Sequence, residues 1–242
     1  MKTNRILMSI LGIGLFILLI TPSCSLKSDN DNAPTYLGLG VIKGNEQSFS
    51  IMLDNKVVLY PQTGIKSSVI KDGKRVLFEY SQDQKITENG QDNYKVTLYY
   101  LDSILTKKPI QLTHSRNDSL GNDMVNIKAI WSGSHYLNVD FQLKYGNSTK
   151  KHLVNLAIDT IQTSADTVNF IFKHNAYNDT YLQAKSGLVS FDMSNYIKDG
   201  KKLNLKLKYK NYANESRVLK LQMKADSVSV TSLDYYSHAN FR

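Results

Sequence analysis

An all-β fold follows from three observations on this chain: short runs of strict period-two alternation, turn residues between them, and the lack of any stretch with a sustained helical period. The clearest run is His135, Leu137, Val139, Phe141, Leu143 and Tyr145, alternating with Tyr136, Asn138, Asp140, Gln142 and Lys144. Leu203, Leu205, Leu207 and Tyr209 alternate in the same way with Asn204, Lys206, Lys208 and Lys210. Such strands bury one face and wet the other, the habit of antiparallel sheets packed on one side.

The elements follow in order. Leu37, Leu39 and Val41 share one face of a first strand, and Phe49, Ile51 and Leu53 one face of a second. Asp54-Asn55 turns into Val57 to Tyr60, which Pro61 ends. Asp72-Gly73 precedes Arg75 to Tyr80, and a polar loop from Gln82 to Asn93 leads to Tyr94 to Leu101. Five short strands in so little chain predict a closed barrel of the OB type. Thr106-Lys107-Lys108-Pro109 reads as a domain junction, basic and closed by proline. Beyond it, Val154 to Ile158, Val168 to Phe172, Leu188 to Met193 and Val218 to Met223 join the two long alternating runs in an antiparallel β-sandwich, with a turn at Asp199-Gly200.

The beginning of the chain carries an address. Lys2 and Arg5 precede an uncharged apolar run, Ile6 to Ile20, which stops at Thr21-Pro22 short of the about twenty residues a membrane span needs. Ile20-Thr21-Pro22-Ser23-Cys24 resembles the relaxed lipobox of the Bacteroidetes, which implies cleavage before Cys24 and acylation of this lone cysteine. The expected organisation is a signal peptide (1–23), a flexible tether (24–34), an OB-like domain (35–107), a β-sandwich domain (108–231) and a C-terminal tail (232–242). The expected location is the outer membrane, by a lipid anchor. Asp29 and Asp31, interrupted by Lys27, leave open which side of it the protein faces.

Loss of Lys2 and Arg5 with the leader takes the formal charge from +9 to +7. A basic surface attracts anionic partners, yet the lysines are scattered along the chain. That scatter favours solvation of strand faces and protection of sheet edges. An extracytoplasmic address makes nucleic acid a poor candidate, and leaves a glycan or another envelope protein as the expected partner.

Motifs of chemistry are sparse. His114, His135, His152, His174 and His238 form no pair at metal-ligating spacing. His135 falls in line with core residues, as a satisfied buried histidine does, and His174 to Asp179 reads as a polar loop with capping side chains. Trp131-Ser132-Gly133-Ser134-His135 lacks the second glycine and the helix of a nucleophile elbow. With four glutamates, a paired glutamate acid and base is hard to build. No glycine-rich phosphate loop opens a helix. No catalytic residue, metal site or cofactor is therefore expected, and the chain is not expected to be an enzyme. Fifteen tyrosines admit sugar stacking, though most fit core or cross-strand positions.

Asp followed by Ser or Thr and then an aliphatic or similar residue recurs more often than composition provides, at Ser103, Ser119, Thr160, Thr167 and Ser227. This step resembles the O-glycosylation sequon of the Bacteroidetes envelope, and these five are candidate O-glycosylation sites. Asp-Ser/Thr turns ahead of strands are the competing explanation.

Tyr36-Leu37-Gly38-Leu39-Gly40-Val41, Phe49-Ser50-Ile51, Leu59-Tyr60-Pro61, His174-Asn175-Ala176 and Ser190-Phe191-Asp192-Met193-Ser194, after a lipoprotein leader, resemble the NigD-like family of Bacteroidetes lipoproteins. The resemblance implies an N-terminal OB domain followed by a C-terminal β-sandwich. It also implies, through the family's association with a bacteriocin locus, an immunity or accessory role beside a secreted antibacterial product. It carries over no functional residue.

Overall fold

The structure is a computed structural model that describes residues 34–62, 65, 67–159, 167–197, 201–224 and 229–230. Cys24, Thr160, Asp199-Gly200 and Ser227 lie outside the described residues. The described residues belong to one compact unit. Among the described residues no helix is long and apolar enough to cross a membrane.

Five strands, β1 (Thr35–Asn45), β2 (Ser48–Leu53), β3 (Val58–Pro61), β4 (Arg75–Glu88) and β5 (Gln91–Ser103), form a closed barrel in the order β1-β2-β3-β5-β4. β1 pairs with β4 to close it, and β3 runs parallel to β5, ending at Pro61 as its missing N–H requires. Ile42, Ile51, Leu59, Val76, Phe78 and Val96 are fully buried inside. Each side chain so buried stabilises the fold by about 1.5–3 kcal/mol. Gly38 is required at its position, because a Cβ there would lie 2.6 Å from the Phe78 ring.

The segment Gln82 to Asn93, expected as a loop, is instead the far half of a long β4–β5 hairpin turning at Asn89-Gly90, both with positive φ. Its residues are mostly exposed on both faces, so it has no apolar alternation to betray it. Polar cross-strand contacts hold it, among them Lys85–Asp92 at 2.6 Å and Thr97 to Asp83 at 2.9 Å.

The rest of the chain forms β6 (Leu105–Lys107), β7 (Ile110–Gln111), a short helix α1 (His114–Leu120) that the sequence did not announce, β8 (Asn126–Gly133), β9 (Tyr136–Tyr145), β10 (Leu153–Ile158), β11 (Thr167–Asn175), β12 (Gln183–Asp192), β13 (Lys202–Lys210), β14 (Ser216–Lys224) and β15 (Ser229–Val230). They make two five-stranded sheets, β14-β13-β11-β10-β7 and β15-β8-β9-β12-β6. Most ladders are antiparallel; β11–β13, β10–β7 and β12–β6 are parallel. Leu105–Lys107 and Ile110–Gln111 enter opposite sheets, with Lys108-Pro109 crossing between them.

The sandwich core draws on both inner faces, with Leu137, Val139, Phe191 and Met193 against Leu156, Phe170, Leu205 and Leu207. Phe172 packs edge-on against Phe191 at 6.2 Å. His135 is not in this core: it occupies the two-residue turn Ser134-His135 between β8 and β9, and its side chain is 41% exposed. The strand begins one residue later, at Tyr136, because Ser134 takes a positive φ to close the hairpin.

Candidate functional site

Residues paired across neighbouring strands share a face, which locates the barrel. Trp131 pairs with Asn138, Asn138 with Ser190 and Tyr136 with Asp192, so these residues lie on the outer face of the β8-β9-β12 sheet. Arg75, at the start of β4, reaches that face and is 1% exposed. Its Nη1 and Nη2 donate to the two carboxylate oxygens of Asp54 at 2.8 and 2.7 Å. Nε donates to Ser190 Oγ at 2.9 Å and Nη2 to Asn138 Oδ1 at 3.1 Å. The guanidinium lies 4.0 Å from the centre of the Tyr136 ring. Ser190 also donates to Asn138 Oδ1 at 2.7 Å. Among the described residues Asn138 Nδ2 is the buried side-chain polar atom without a partner. Gly133 is needed beside this pair, since a Cβ there would sit 2.1 Å from Asp54 Oδ2.

Beside this knot opens an apolar cleft of about 280 Å3, walled by Leu37, Leu39, Leu53 and Leu77 of the barrel and Trp131 and Leu188 of the sandwich. Asp54 is the acid on its rim, and both of its oxygens are committed to Arg75.

The opposite side of the sandwich has a different character. No Asp or Glu occurs in β10, β11, β13 or β14. Lys202, Lys206, Lys208 and Lys210 of β13, Lys220 and Lys224 of β14 and Lys173 of β11 lie on the outer face, while Leu203, Leu205, Leu207, Leu221 and Met223 point into the core. Lys202 stands directly opposite Lys224, and Lys206 opposite Lys220. Like charges in that register destabilise a sheet. These lysines, separated in sequence, share one solvent face of the sheet, and β14 is its edge strand.

At one end of this face Lys173, Lys208 and Lys210 line a pocket of about 360 Å3 with Asn122, Asn214 and Ser216. Lys173 is 6% exposed and donates to Asn117 Oδ1 of α1 at 2.9 Å. Burial, reinforced by the charge of Lys208 and opposed by Asp118, pushes its pKa below the ordinary lysine value.

A third cluster joins histidines that are remote in sequence. His174 Nδ1 donates to the Met124 carbonyl at 2.9 Å, His174 Nε2 meets His152 Nδ1 at 3.0 Å, and His152 Nε2 meets Asp179 Oδ2 at 3.0 Å. A carbonyl at one end and a carboxylate at the other both accept, so three protons on the four ring nitrogens complete the run. Burial lowers the pKa of His174. Burial raises that of Asp179, but hydrogen bonds from His152 and from the amides of Gly146, Asn147 and Thr180 outweigh it and hold it at about 2. All these nitrogens and oxygens are engaged within the protein, and among the described residues no group of three or more His, Cys, Asp or Glu is arranged to hold a metal. The segment expected as a polar loop from His174 starts later: His174, fully buried, and Asn175 end β11, and the loop from Ala176 is capped by Asn175 Oδ1, which accepts from the Tyr177 amide at 2.8 Å, while Asp179 closes the Gly146-Asn147 turn.

The candidate glycosylation residues are dispersed. Ser103 is exposed at the end of β5, and Ser119 is exposed in α1, donating to the Arg116 carbonyl at 2.9 Å. Thr167 is half-buried at the first position of β11. Ser132 is fully buried and Ser134 lies in a hairpin turn, so the Trp131 to His135 run is strand and turn.

The described residues define an all-β protein built of a closed five-stranded barrel and a two-sheet sandwich. Residues 108–223 match the family described as the NigD-like C-terminal beta sandwich domain. The fold is similar to a solved protein of unknown function from Bacteroides vulgatus, with TM-score 0.67 and 23% identity over 78% of this chain and 91% of that one. It is also similar to a NigD-like immunity protein from Bacteroides caccae, with TM-score 0.57 and 23% identity over 78% and 92%. A protein from Parabacteroides distasonis, provisionally named as toxin-related, aligns with TM-score 0.63 and 24% identity over 80% and 95%. No curated protein matches the chain.

Proposed function

We propose that this protein is a non-catalytic accessory protein of the cell envelope, anchored to the outer membrane through Cys24, that binds an acidic glycan on its lysine face. The observation that carries this reading is the five-stranded β14-β13-β11-β10-β7 sheet, which has no acid and sets lysine opposite lysine twice. A face whose own charges repel keeps that arrangement at a cost in stability, and an extended anionic partner removes the cost. The barrel lies on the other side of the sandwich from this face. The flat, repetitive grid of ammonium groups suits a linear polymer with regularly spaced carboxylates better than a compact ligand.

The second reading is an immunity or accessory factor for a secreted antibacterial product, favoured by the names of two structural neighbours. It differs in requiring a protein partner. Affinity electrophoresis separates the two: wild-type protein should be retarded in a gel containing a polyuronate and not in one containing neutral dextran. Lys206→Glu with Lys220→Glu should lose the retardation, while Lys43→Glu with Lys71→Glu, on the barrel side, should retain most of it. Equal mobility in both gels would remove the glycan reading and leave the protein-partner reading standing.

A further inference from the structure

The pocket at the end of the lysine face has chemistry that the face as a whole does not. Besides Ile171 and Tyr209, the concavity is lined by Lys173, Lys208, Lys210, Asn122, Asn214 and Ser216. Every one of those polar side chains can donate a hydrogen bond, and none is a carboxylate. Two acids lie near. Glu215 is spent on Arg217 at 2.6 Å and on Asn211 at 3.1 Å, and Asp118 acts on Lys173 from α1.

The register explains the convergence. β11 and β13 run parallel with Ile171 beside Lys208, so two residues further on Lys173 stands beside Lys210 on the same outer face. The β13–β14 connection then folds over the end of the sheet, with Asn214 in the left-handed region and Asn211 Oδ1 accepting from the amides of Ala213 and Glu215. The helix α1 holds Lys173 by its amine through Asn117. One ammonium is thus fixed and nearly buried, while Lys208 is exposed and free to swing onto a ligand.

From this the geometry points to a binding site for a phosphate monoester carried on a sugar. Resting on the reading of the face as a glycan surface, this names the group that the glycan presents at its end. A phosphate monoester carries about −1.5 to −2 charge at pH 7 and three acceptor oxygens, which matches three ammonium groups where a single carboxylate does not. The volume of about 360 Å3 leaves room for a sugar ring beside the phosphate. The amides of Asn122 and Asn214 and the Ser216 hydroxyl supply bonds to the ring hydroxyls or to the remaining phosphate oxygen.

Isothermal titration of the purified protein with glucose 1-phosphate tests this, with glucose, glucuronate and vesicles containing phosphatidic acid as parallel titrants. One site is expected for glucose 1-phosphate, with glucose and glucuronate at least about tenfold weaker. Lys208→Gln and Lys210→Gln should each weaken it by about tenfold or more, whereas Lys43→Gln on the barrel should leave it unchanged. Their melting curves establish that the variants are folded, since Lys208 is solvent-facing. Retained affinity in Lys208→Gln, or binding to the vesicles but not to the soluble sugar phosphate, overturns the proposal. If a polyuronate binds and glucose 1-phosphate does not, the pocket fails and the face stands; if neither binds, both fail.

Discussion

Replacing Arg75 by methionine removes four hydrogen bonds at once, two to Asp54 and one each to Ser190 and Asn138, and leaves the Asp54 carboxylate, 12% exposed, without the charge that neutralises it. Breaking a buried pair from one side costs about 3–5 kcal/mol, because the orphaned charge remains. For a protein of this size each kcal/mol is worth about 2–4 °C, so the melting temperature should fall by about 6–20 °C. The site of the damage adds a second signature. Arg75 is in a barrel strand, while Asn138 and Ser190 are in the sandwich, so the variant should melt in two calorimetric steps where the wild type melts in one. Removing both charges, in Arg75→Met with Asp54→Leu, should recover at least half of the loss. A single variant that loses less than about 1 kcal/mol, or a double variant no more stable than the single, would refute the assignment of Arg75 as the bolt between the two domains.

Three further outcomes are expected. Lys206→Glu places an acid opposite Lys220 and should stabilise the free protein by about 0.2–1 kcal/mol in urea unfolding; a loss of stability there would contradict the cost assigned to the lysine pairs. The pKa of Asp179 is held at about 2, below its ordinary 3.8, so its contribution is complete above about pH 4 and is lost as pH falls toward 2; His174, lowered by burial, likewise contributes above its ordinary 6.5 and loses that as pH falls. Thermal melts across this range should show a shallower acid limb in Asp179→Asn than in wild type, and identical limbs would rule the network out as its source. Intact mass of the protein from a native-type host should exceed the polypeptide from Cys24 onward by acyl chains and by saccharide at one or more of Ser103, Ser119, Thr160, Thr167 and Ser227, with acyl label absent in Cys24→Ala; a mass equal to the bare chain would remove both modifications.

Fold class was legible in the sequence wherever one face of a strand is buried. Leu203, Leu205 and Leu207 announce β13 because the sandwich core takes each of them. The strands of the hairpin from Gln82 to Asn93 were not legible, because with both faces wet nothing constrains their residues to alternate; Asn89-Gly90 is its one local signal. Of the candidate sites, the lysines of β13 were visible as one face of a strand. What turns them into a surface is the pairing of β13 with β14 and β11, a tertiary fact that no local pattern encodes. The same holds for His152 and His174, 22 positions apart and brought together by the antiparallel pairing of β10 and β11, in which Val154 lies opposite His174. Arg75 could not be singled out at all. It opens a strand as any arginine might, and its partners come from 21, 63 and 115 residues away.

The central claim is that the acid-free sheet face binds an anionic envelope glycan, and the most direct measurement is the affinity of the protein for a polyuronate oligosaccharide as a function of salt. Wild-type affinity should be measurable at low ionic strength and fall steeply as salt rises, since several exposed ammonium groups release counterions together. Lys206→Glu with Lys220→Glu should bind at least about tenfold more weakly and with a shallower salt dependence. Equal affinity and equal slope in the two proteins would contradict the account.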